Sequence, residues 1–356
     1  MLVHLLRRLA LSAALLVGVV LATFLLHYAL PGDPAAAVLG KQYTEERAAE
    51  LRGRLGLDDP IPVQLGRYLR DVARGDLGRS HMSNEPVTEE LKRVLPATIE
   101  LGLCALLIAT AAGVAVGTLT ALRPRSWWDV AGLTGALAGV SLPIFWLGFL
   151  ALQAFGEGGS LSGALGWEGL PLGGRFDPGK FKLGVWAAQT PAATGFFLFD
   201  TLAVARDPAA FAHVARHLLL PAAVLASVPT AVITRITRAA LGEVLLADYI
   251  RTARAKGLGP RAVVVKHALR NAAIPIVTSI GTQLGYLLGG AVLTETIFQW
   301  PGMGTYVVSA ILNLDVKPLQ ACVLVVATGF VVVNLAVDLS YGLLDPRVRA
   351  PGEAPA

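Results

Sequence analysis

The stretch of this 356-residue chain richest in chemical information is Asp248-Tyr249-Ile250-Arg251-Thr252-Ala253-Arg254-Ala255-Lys256-Gly257-Leu258-Gly259-Pro260. Its order predicts a helix, a sharp turn and a second helix. Asp248 sits early, where the helix dipole favours an acid, and Lys256 late, where it favours a base. Gly257 or Gly259 can take a left-handed stop. Pro260 suits the first turn of the next helix, which runs to about Asn271. Thr252, Ala253 and Ala255 keep the first helix slim, and Arg251, Arg254 and Lys256 give it a basic flank. Two chemistries fit: docking into an acidic groove on a partner protein, or a basic loop resting on lipid headgroups. A second element is Glu295-Thr296-Ile297-Phe298-Gln299-Trp300-Pro301-Gly302-Met303-Gly304. Here an acid near the end of an apolar run precedes a Trp-Pro-Gly turn. Trp300 suits a membrane interface and Pro301-Gly302 a tight turn. Residue types alone fit a simple membrane-exit turn.

Other chemistries leave no trace. The sequence has no G-x-x-x-x-G-K-[ST] phosphate loop, hence no visible means of hydrolysing a nucleotide. No H-E-x-x-H or cysteine cluster points to a metal. Cys104 and Cys322 lie in apolar runs and read as small core residues. His4, His27, His81, His213, His217 and His267 are scattered near loops or run ends, and none forms an evident triad with Ser and Asp. Charges at mid-membrane depth mark ion paths. The acids here, Glu100, Glu295 and Asp338, fall toward the ends of apolar runs.

These residues need apolar helices to position them. Hydrophobic residues make up 54% of the chain and charged residues 15%, with mean hydropathy +0.60. A soluble domain carries about 25% charged residues, so a single soluble globule is excluded. Disorder is excluded as well, because it requires low hydrophobicity. Residues 41–95 hold 20 of the 55 charged residues, which reads as one polar insert in a membrane protein. The net charge of +5 and pI near 9.4 fit basic cytoplasmic loops better than nucleic-acid binding.

Stretches of about 20 apolar residues cross the hydrocarbon layer. Six are expected: Leu9–Leu30, Ala97–Leu122, Val130–Phe155, His217–Ile236, Ile274–Phe298 and Pro318–Leu344. The first reads as an uncleaved anchor, since it outruns the 7–15 apolar residues of a signal peptide; the rival reading places a cleavage site near Ala35-Ala36-Ala37. Pro143, Pro221 and Pro229 predict kinks facing other helices. Gly113, Gly117, Gly132, Gly135, Gly139, Gly281, Gly285, Gly289 and Gly290 predict close helix approach. Basic residues place both termini in the cytoplasm: Arg7 and Arg8, Arg123 and Arg125, the run from Arg235 to Arg270, and Arg347 and Arg349.

Outside, residues 31–96 are expected to form a small helical cap on the bundle. One helix is capped by Thr44 and stopped by Gly56. Another runs from Pro62 to near Gly75. Residues 156–216 read as loop, with a short helix near Pro208–Arg216 and the apolar stretch Thr194–Ala205 either interfacial or packed on the bundle.

The 248–258 stretch resembles the cytoplasmic EAA loop of ABC-importer permeases in its peptide-type form. The similarity extends along the chain through Pro31-Gly32-Asp33-Pro34, Gly75-Asp76-Leu77-Gly78-Arg79-Ser80, Arg216-His217-Leu218-Leu219-Leu220-Pro221, the Glu295–Gly304 element and Leu344-Asp345-Pro346-Arg347. These are similar to B-type permease subunits of dipeptide and oligopeptide importers. The Glu-Ala-Ala positions match Arg251, Thr252 and Ala253, and the loop glycine matches Gly257. The later I-x-L-P element is incomplete, with His267, Leu269 and Arg270 in its place.

The resemblance implies an all-α membrane protein with six transmembrane helices, the type I importer permease, in a bacterial or archaeal inner membrane. Its parts would be a tail and first transmembrane helix at 1–30, an extracytoplasmic insert at 31–96, a five-helix core at 97–344 and a cytoplasmic tail at 345–356. The core would include an extracytoplasmic loop at 156–216 and a coupling loop at 237–273. A soluble binding protein would deliver a peptide or related small solute to a path shared with a second, homologous permease. ATP and Mg would sit on two partner ATPases, with no cofactor in this chain. Asp248, Tyr249, Arg251, Thr252, Ala253, Arg254, Ala255, Lys256, Gly257 and Leu258 would form the ATPase-coupling helix. Glu295, Phe298, Trp300, Pro301 and Gly302 would lie at an outer gate, with Glu295 paired to an outer basic residue. The alternative is a stand-alone secondary transporter or channel. That class needs charged or broken-helix sites near the midplane, which are not evident.

Overall fold

The computed structural model describes residues 2–29, 39, 43–177 and 194–344. The terminal tail, Pro31-Gly32-Asp33-Pro34 and Ala35-Ala36-Ala37 lie outside the described residues, as does the middle of the 156–216 segment. Among the described residues the chain is helical, with two isolated β-bridges. In chain order the helices are α1 (Leu2–Ala29), α2 (Glu45–Leu55), α3 (Ile61–Ala73), α4 (Val87–Leu122), α5 (Trp127–Ser141), α6 (Ile144–Phe155), α7 (Ser160–Ala164), α8 (Phe197–Phe199), α9 (Pro208–Leu225), α10 (Ser227–Val244) and α11 (Asp248–Ala255). Then follow α12 (Pro260–Ala262), α13 (Leu269–Asn271), α14 (Ala273–Gly290), α15 (Val292–Ile297), α16 (Met303–Leu312) and α17 (Val316–Leu344). Two π-helical turns, Asp200–Val204 and Val263–Ala268, complete the set.

Helices α4, α9 and the Val316–Val337 part of α17 are long and apolar enough to cross a membrane, and α5 with α6 forms a bent fourth. The bundle is organised around α4. At 36 residues it is about 54 Å long, well over the hydrocarbon thickness, and it begins ten residues before the span expected from Ala97. It packs along α10, where small residues set the spacing. A Cβ on Gly113 would meet Ile233 Cβ at 2.8 Å, and one on Gly117 would meet Thr237 Cβ at 2.6 Å. Helices α14 and α17 approach in the same way, with Gly285 against the Phe330 ring at 2.5 Å.

Three expected spans are broken, each for a local reason. The third turns through 109° between α5 and α6. Pro143 pushes Leu142 into extended backbone (φ −88°, ψ 132°), because a residue preceding proline avoids the helical region. The fourth extends from Pro208 to Val244 as two helices meeting at Ala226. Pro229 offers no N–H to the Leu225 carbonyl one turn back, so the ladder is interrupted there. The short helix expected near Pro208–Arg216 is the first part of α9, capped by Asp207, which accepts from Ala209 N–H at 3.0 Å. The fifth stops at Gly290, after a Gly289-Gly290 pair of poor helix formers. Residues 292–297 form a separate helix, and the stretch between the fifth and sixth expected spans contains the ten-residue helix α16.

The two helices expected in the polar insert form at 45–55 and 61–73, while its residues 87–96 belong to α4. Thr44 Oγ accepts from Arg47 N–H, and Gly56 ends α2 in the left-handed region at φ +64°. Helix α3 has no buried residue of its own. It rests on α1 through Tyr68, whose hydroxyl lies 3.1 Å from Thr23 Oγ and whose ring lies 5.8 Å from that of Phe24. Gln320 of α17 donates to the Thr23 carbonyl at 2.8 Å, tying α1 to the bundle.

Candidate functional sites at the two ends of the bundle

Helix α11 lies at the end of the bundle where α4 and α10 finish. Ile250 and Ala253, three residues apart on one face, are buried with Ala121, Leu241, Val263, Ala268, Ala272 and Ile276. The flank formed by Asp248, Tyr249, Arg251, Thr252, Arg254, Ala255 and Lys256 is exposed. Ala253, matched by the resemblance to the coupling residues, therefore faces the chain's own core. The stop is a Schellman turn. Gly257 takes φ +76° and donates to Arg254 O at 2.9 Å, and Leu258 donates to Ala253 O at 3.3 Å. Gly259 has φ −61°, so Gly257 is the left-handed residue of the two, and Pro260 opens the next helix. Leu246, Tyr249 and Leu258 add exposed apolar surface, at 74%, 45% and 41% exposure. The only ion pair on α11 among the described residues is the exposed Arg251–Asp248 contact at 3.3 Å. Nearby, Arg238 grips the buried Asp129 carboxylate with two hydrogen bonds of 2.7 and 2.8 Å. The positive-inside pattern counts Arg238 as a loop charge, but it ties the start of α5 to α10.

At the other end of α4, Glu295, Phe298, Trp300 and Gly302 form one buried block, while Pro301 is exposed. Trp300 is fully buried rather than at a lipid interface, and its indole N–H donates to Ala97 O at 3.0 Å. Glu295 is fully buried and has no basic partner among the described residues, contrary to the expected pairing. Its carboxylate accepts from the Thr98 hydroxyl at 2.6 Å, Gly304 N–H at 2.7 Å and Thr305 N–H at 3.2 Å. The last two are first-turn amides of α16, so the helix dipole and unsatisfied N–H groups take the place of a cation. Cβ atoms on Gly302 and Gly304 would collide with that carboxylate. Chain reversal rests on Gln299 in the left-handed region (φ +47°) and on a Gly302 N–H to Trp300 O bond around Pro301, not on a Pro301-Gly302 β-turn.

The basic residue of this end pairs with the other acid. Arg175, from the segment read as loop, lies 2.7 Å from Glu100, with side chains 5% and 4% exposed. Its guanidinium stacks 3.7 Å from the Phe197 ring centroid and donates to Gly195 O at 2.8 Å. Burial pushes this guanidinium below its ordinary value, and the Glu100 charge and hydrogen bond pull it back. Glu100 also accepts from Leu198 N–H at 2.7 Å, so the 194–205 stretch packs on the bundle. Sequence reading missed Arg175 because a lone Arg in a Gly- and Pro-rich run carries no periodicity. The signal available was a buried-looking acid at Glu100 in need of a partner.

The geometry of the described residues thus offers an exposed basic helix at one end and a buried polar block at the other. Residues 113–350 match the sequence model of the binding-protein-dependent transport system inner membrane component. Residues 1–102 match the N-terminal model of the same class of membrane component. The chain belongs to this family. It is a multi-pass inner-membrane permease subunit of the ABC-importer type. The permease is 43% identical over 349 residues to the dipeptide transport system permease protein DppB of Alkalihalophilus pseudofirmus, covering 98% of this chain and 100% of that one. It is 44% identical to the di/tripeptide transport system permease protein DppB of Pseudomonas aeruginosa, over 96% and 97% of the two chains. It is 43% identical to DppB of Escherichia coli K12, over 98% and 99%.

Proposed function

We propose that this permease forms half of a translocation path for short peptides, and that a second homologous permease supplies the other half. Near full-length similarity to permeases named for dipeptide and di/tripeptide transport supports the cargo. A binding protein delivers the peptide on the extracytoplasmic side, and two ATPases holding ATP and Mg²⁺ drive the cycle. Both termini and α11 face the cytoplasm, and the Glu295–Trp300 block faces outward. Shifting a bundle from 1:99 to 99:1 in favour of one state takes about 5.5 kcal/mol. With no phosphate loop in its sequence, this chain receives that energy through α11.

The observation that carries this reading is the two-sidedness of α11. Ile250 and Ala253 root it in the bundle, and Tyr249, Arg251, Arg254 and Lys256 are left for a partner. Gly257 and Leu258 fix where the helix ends. Glu295, Phe298, Trp300, Pro301 and Gly302 act as the outer gate. The test is reconstitution with the co-expressed partners, measuring ATP-dependent uptake of labelled dipeptide and cross-linking from Arg254→Cys. Uptake should require ATP, and the cross-link should reach an ATPase. Gradient-driven uptake by the chain alone, or no cross-link, overturns the assignment. A Glu295→Gln variant should slow transport; an unchanged rate removes the gate role.

A further inference from the structure

The turn Arg123-Pro124-Arg125-Ser126 joins α4 to α5, two elements of the membrane-crossing set. Irregular backbone is not left open to lipid tails, so the turn lies where the hydrocarbon ends. Arg123 and Arg125 are both exposed, and neither side chain pairs with an acid among the described residues. The acid next to them, Asp129, is already engaged. Arg238 donates to both of its oxygens at 2.7 and 2.8 Å, and the Arg125 backbone N–H donates at 2.9 Å. That last bond holds Arg125 at φ +60°, a left-handed conformation that a residue with a Cβ rarely adopts. The Arg125 side chain is therefore carried on a fixed backbone with no acid left to meet it.

Aromatic and apolar groups stand beside these cations. Trp127 and Trp128 open α5, and they are 64% and 38% exposed. Their ring centroids lie 3.7 Å apart, and the Arg123 guanidinium lies 5.8 Å from the Trp128 ring. Leu122 and Val130, on either side of the turn, are exposed as well. The patch thus combines apolar side chains, indoles and unpaired guanidinium groups. A phospholipid offers the matching set: acyl chains, an ester region and a phosphate. Indoles settle at the headgroup level, and guanidinium groups bind phosphate oxygens through two parallel N–H bonds. An acidic protein groove would match the arginines but would leave Leu122 and Val130 without apolar cover.

We propose that the α4–α5 turn binds an anionic phospholipid, with Arg123 and Arg125 on its phosphate and Trp127 and Trp128 on its ester region. A headgroup that also carries an ammonium brings a positive charge to two arginines, so the site favours headgroups of net negative charge. The occupant has a route into the bundle. Asp129 accepts from both Arg125 and Arg238, so a lipid held at the turn is linked through one carboxylate to α10, whose end leads into α11. This inference needs the chain to lie in a membrane and does not rest on the cargo or the coupling role proposed above.

The test uses the permease co-purified with its partners in phosphatidylcholine nanodiscs. A small fraction of the lipid is replaced by phosphatidylglycerol, or in parallel by phosphatidylcholine, with bromine high on one acyl chain. Bromine quenches tryptophan emission at contact. The signal of the two indoles is the difference between the unaltered chain and a Trp127→Phe, Trp128→Phe variant. Brominated phosphatidylglycerol should quench that signal at about a tenfold lower fraction than brominated phosphatidylcholine. The paired Arg123→Gln and Arg125→Gln substitutions should bring the two lipids to equal quenching while leaving the melting transition in place, since both side chains are exposed. Equal quenching of the unaltered chain by both lipids would make the turn an ordinary membrane interface and overturn the site. No quenching by either would mean that a protein partner covers the turn, which also overturns it. A preference that survives the glutamine variant would place the selectivity elsewhere and overturn the role of the two arginines.

Discussion

The Glu100 and Ala121 levels of α4, about 31 Å apart along its axis, hold their chemistry in opposite ways. At the Glu100 end, charges are buried and each meets a partner, with Arg175 Nε left without one among the described residues. Arg175 meets Glu100, Glu295 meets a hydroxyl and two backbone amides, and the Trp300 N–H meets a carbonyl. At the Ala121 end, α11 is attached by two small contacts, Ile250 and Ala253, and its charges face outward. Removing a group from the buried end leaves an orphaned charge or dipole inside the protein. Removing one from the exposed end leaves water in its place. In the function proposed above, the first would serve as a seal and the second as a handle.

The contrast predicts very different costs, and Arg175→Leu should show the largest. Breaking a buried pair from one side costs about 3–5 kcal/mol, because the remaining charge stays uncompensated. Thermal unfolding in detergent should show a large loss of stability, and the double change Arg175→Leu with Glu100→Gln should recover much of it. Equal losses in the single and double variants would mean that the pair is packing, not electrostatics. Next comes Gly117→Ala, about one turn from Ala121. Its Cβ would lie 2.7 Å from Thr234 O and 2.6 Å from Thr237 Cβ, so α4 and α10 must separate. Overpacking of this kind costs about 1–3 kcal/mol. The same assay checks it, with Gly135→Ala as a neutral control because nothing lies within 4 Å of that position.

How far such contrasts can be read from sequence depends on the range of the physics involved. Local signals were legible. The caps at Thr44 and Gly56, the boundaries of α11 and the Gly113 and Gly117 contacts follow from residue types and helix periodicity. The all-helical membrane class follows from apolar run length. Breaks inside the spans were half legible: prolines 143 and 229 marked them, but the 109° turn depends on how α6 packs against its neighbours. Long-range pairing was not legible. Glu100 and Arg175 are 75 positions apart, and Asp129 and Arg238 are 109 apart. In both pairs the basic member reads from sequence as an ordinary loop charge. The Glu295 site misled for a related reason, since backbone amides at a helix start leave no signature in residue type.

At the α11 end the costs should fall. Gly257→Ala forces a Cβ into the left-handed region at φ +76°, a penalty of about 1–2 kcal/mol. No neighbouring atom lies within 4 Å of that Cβ, so the cost is confined to the turn. Global unfolding should barely move, while hydrogen exchange at the Gly257 and Leu258 amides should speed up. Unchanged exchange would mean that the Schellman turn does not hold the end of α11.

The smallest effect on stability is the most telling. Tyr249→Ala and Arg254→Glu alter exposed side chains, and substitutions of that kind stay within about 0.5 kcal/mol. The melting transition should therefore match that of the unaltered chain. If the exposed flank is the handle, ATP-dependent uptake should nevertheless fall about tenfold or more in the Arg254→Glu variant. Charge reversal sets like charges against an acidic groove, which penalises docking more than simple loss of contact does. Tyr249→Ala should fall less, because it removes area without adding repulsion. A reverse order, with Ala253→Glu alone harmful, would move the coupling function from the exposed flank to the buried face. Ala253 packs against the chain's own core, so such a result would mean that loss of seating, and not loss of grip, uncouples the permease.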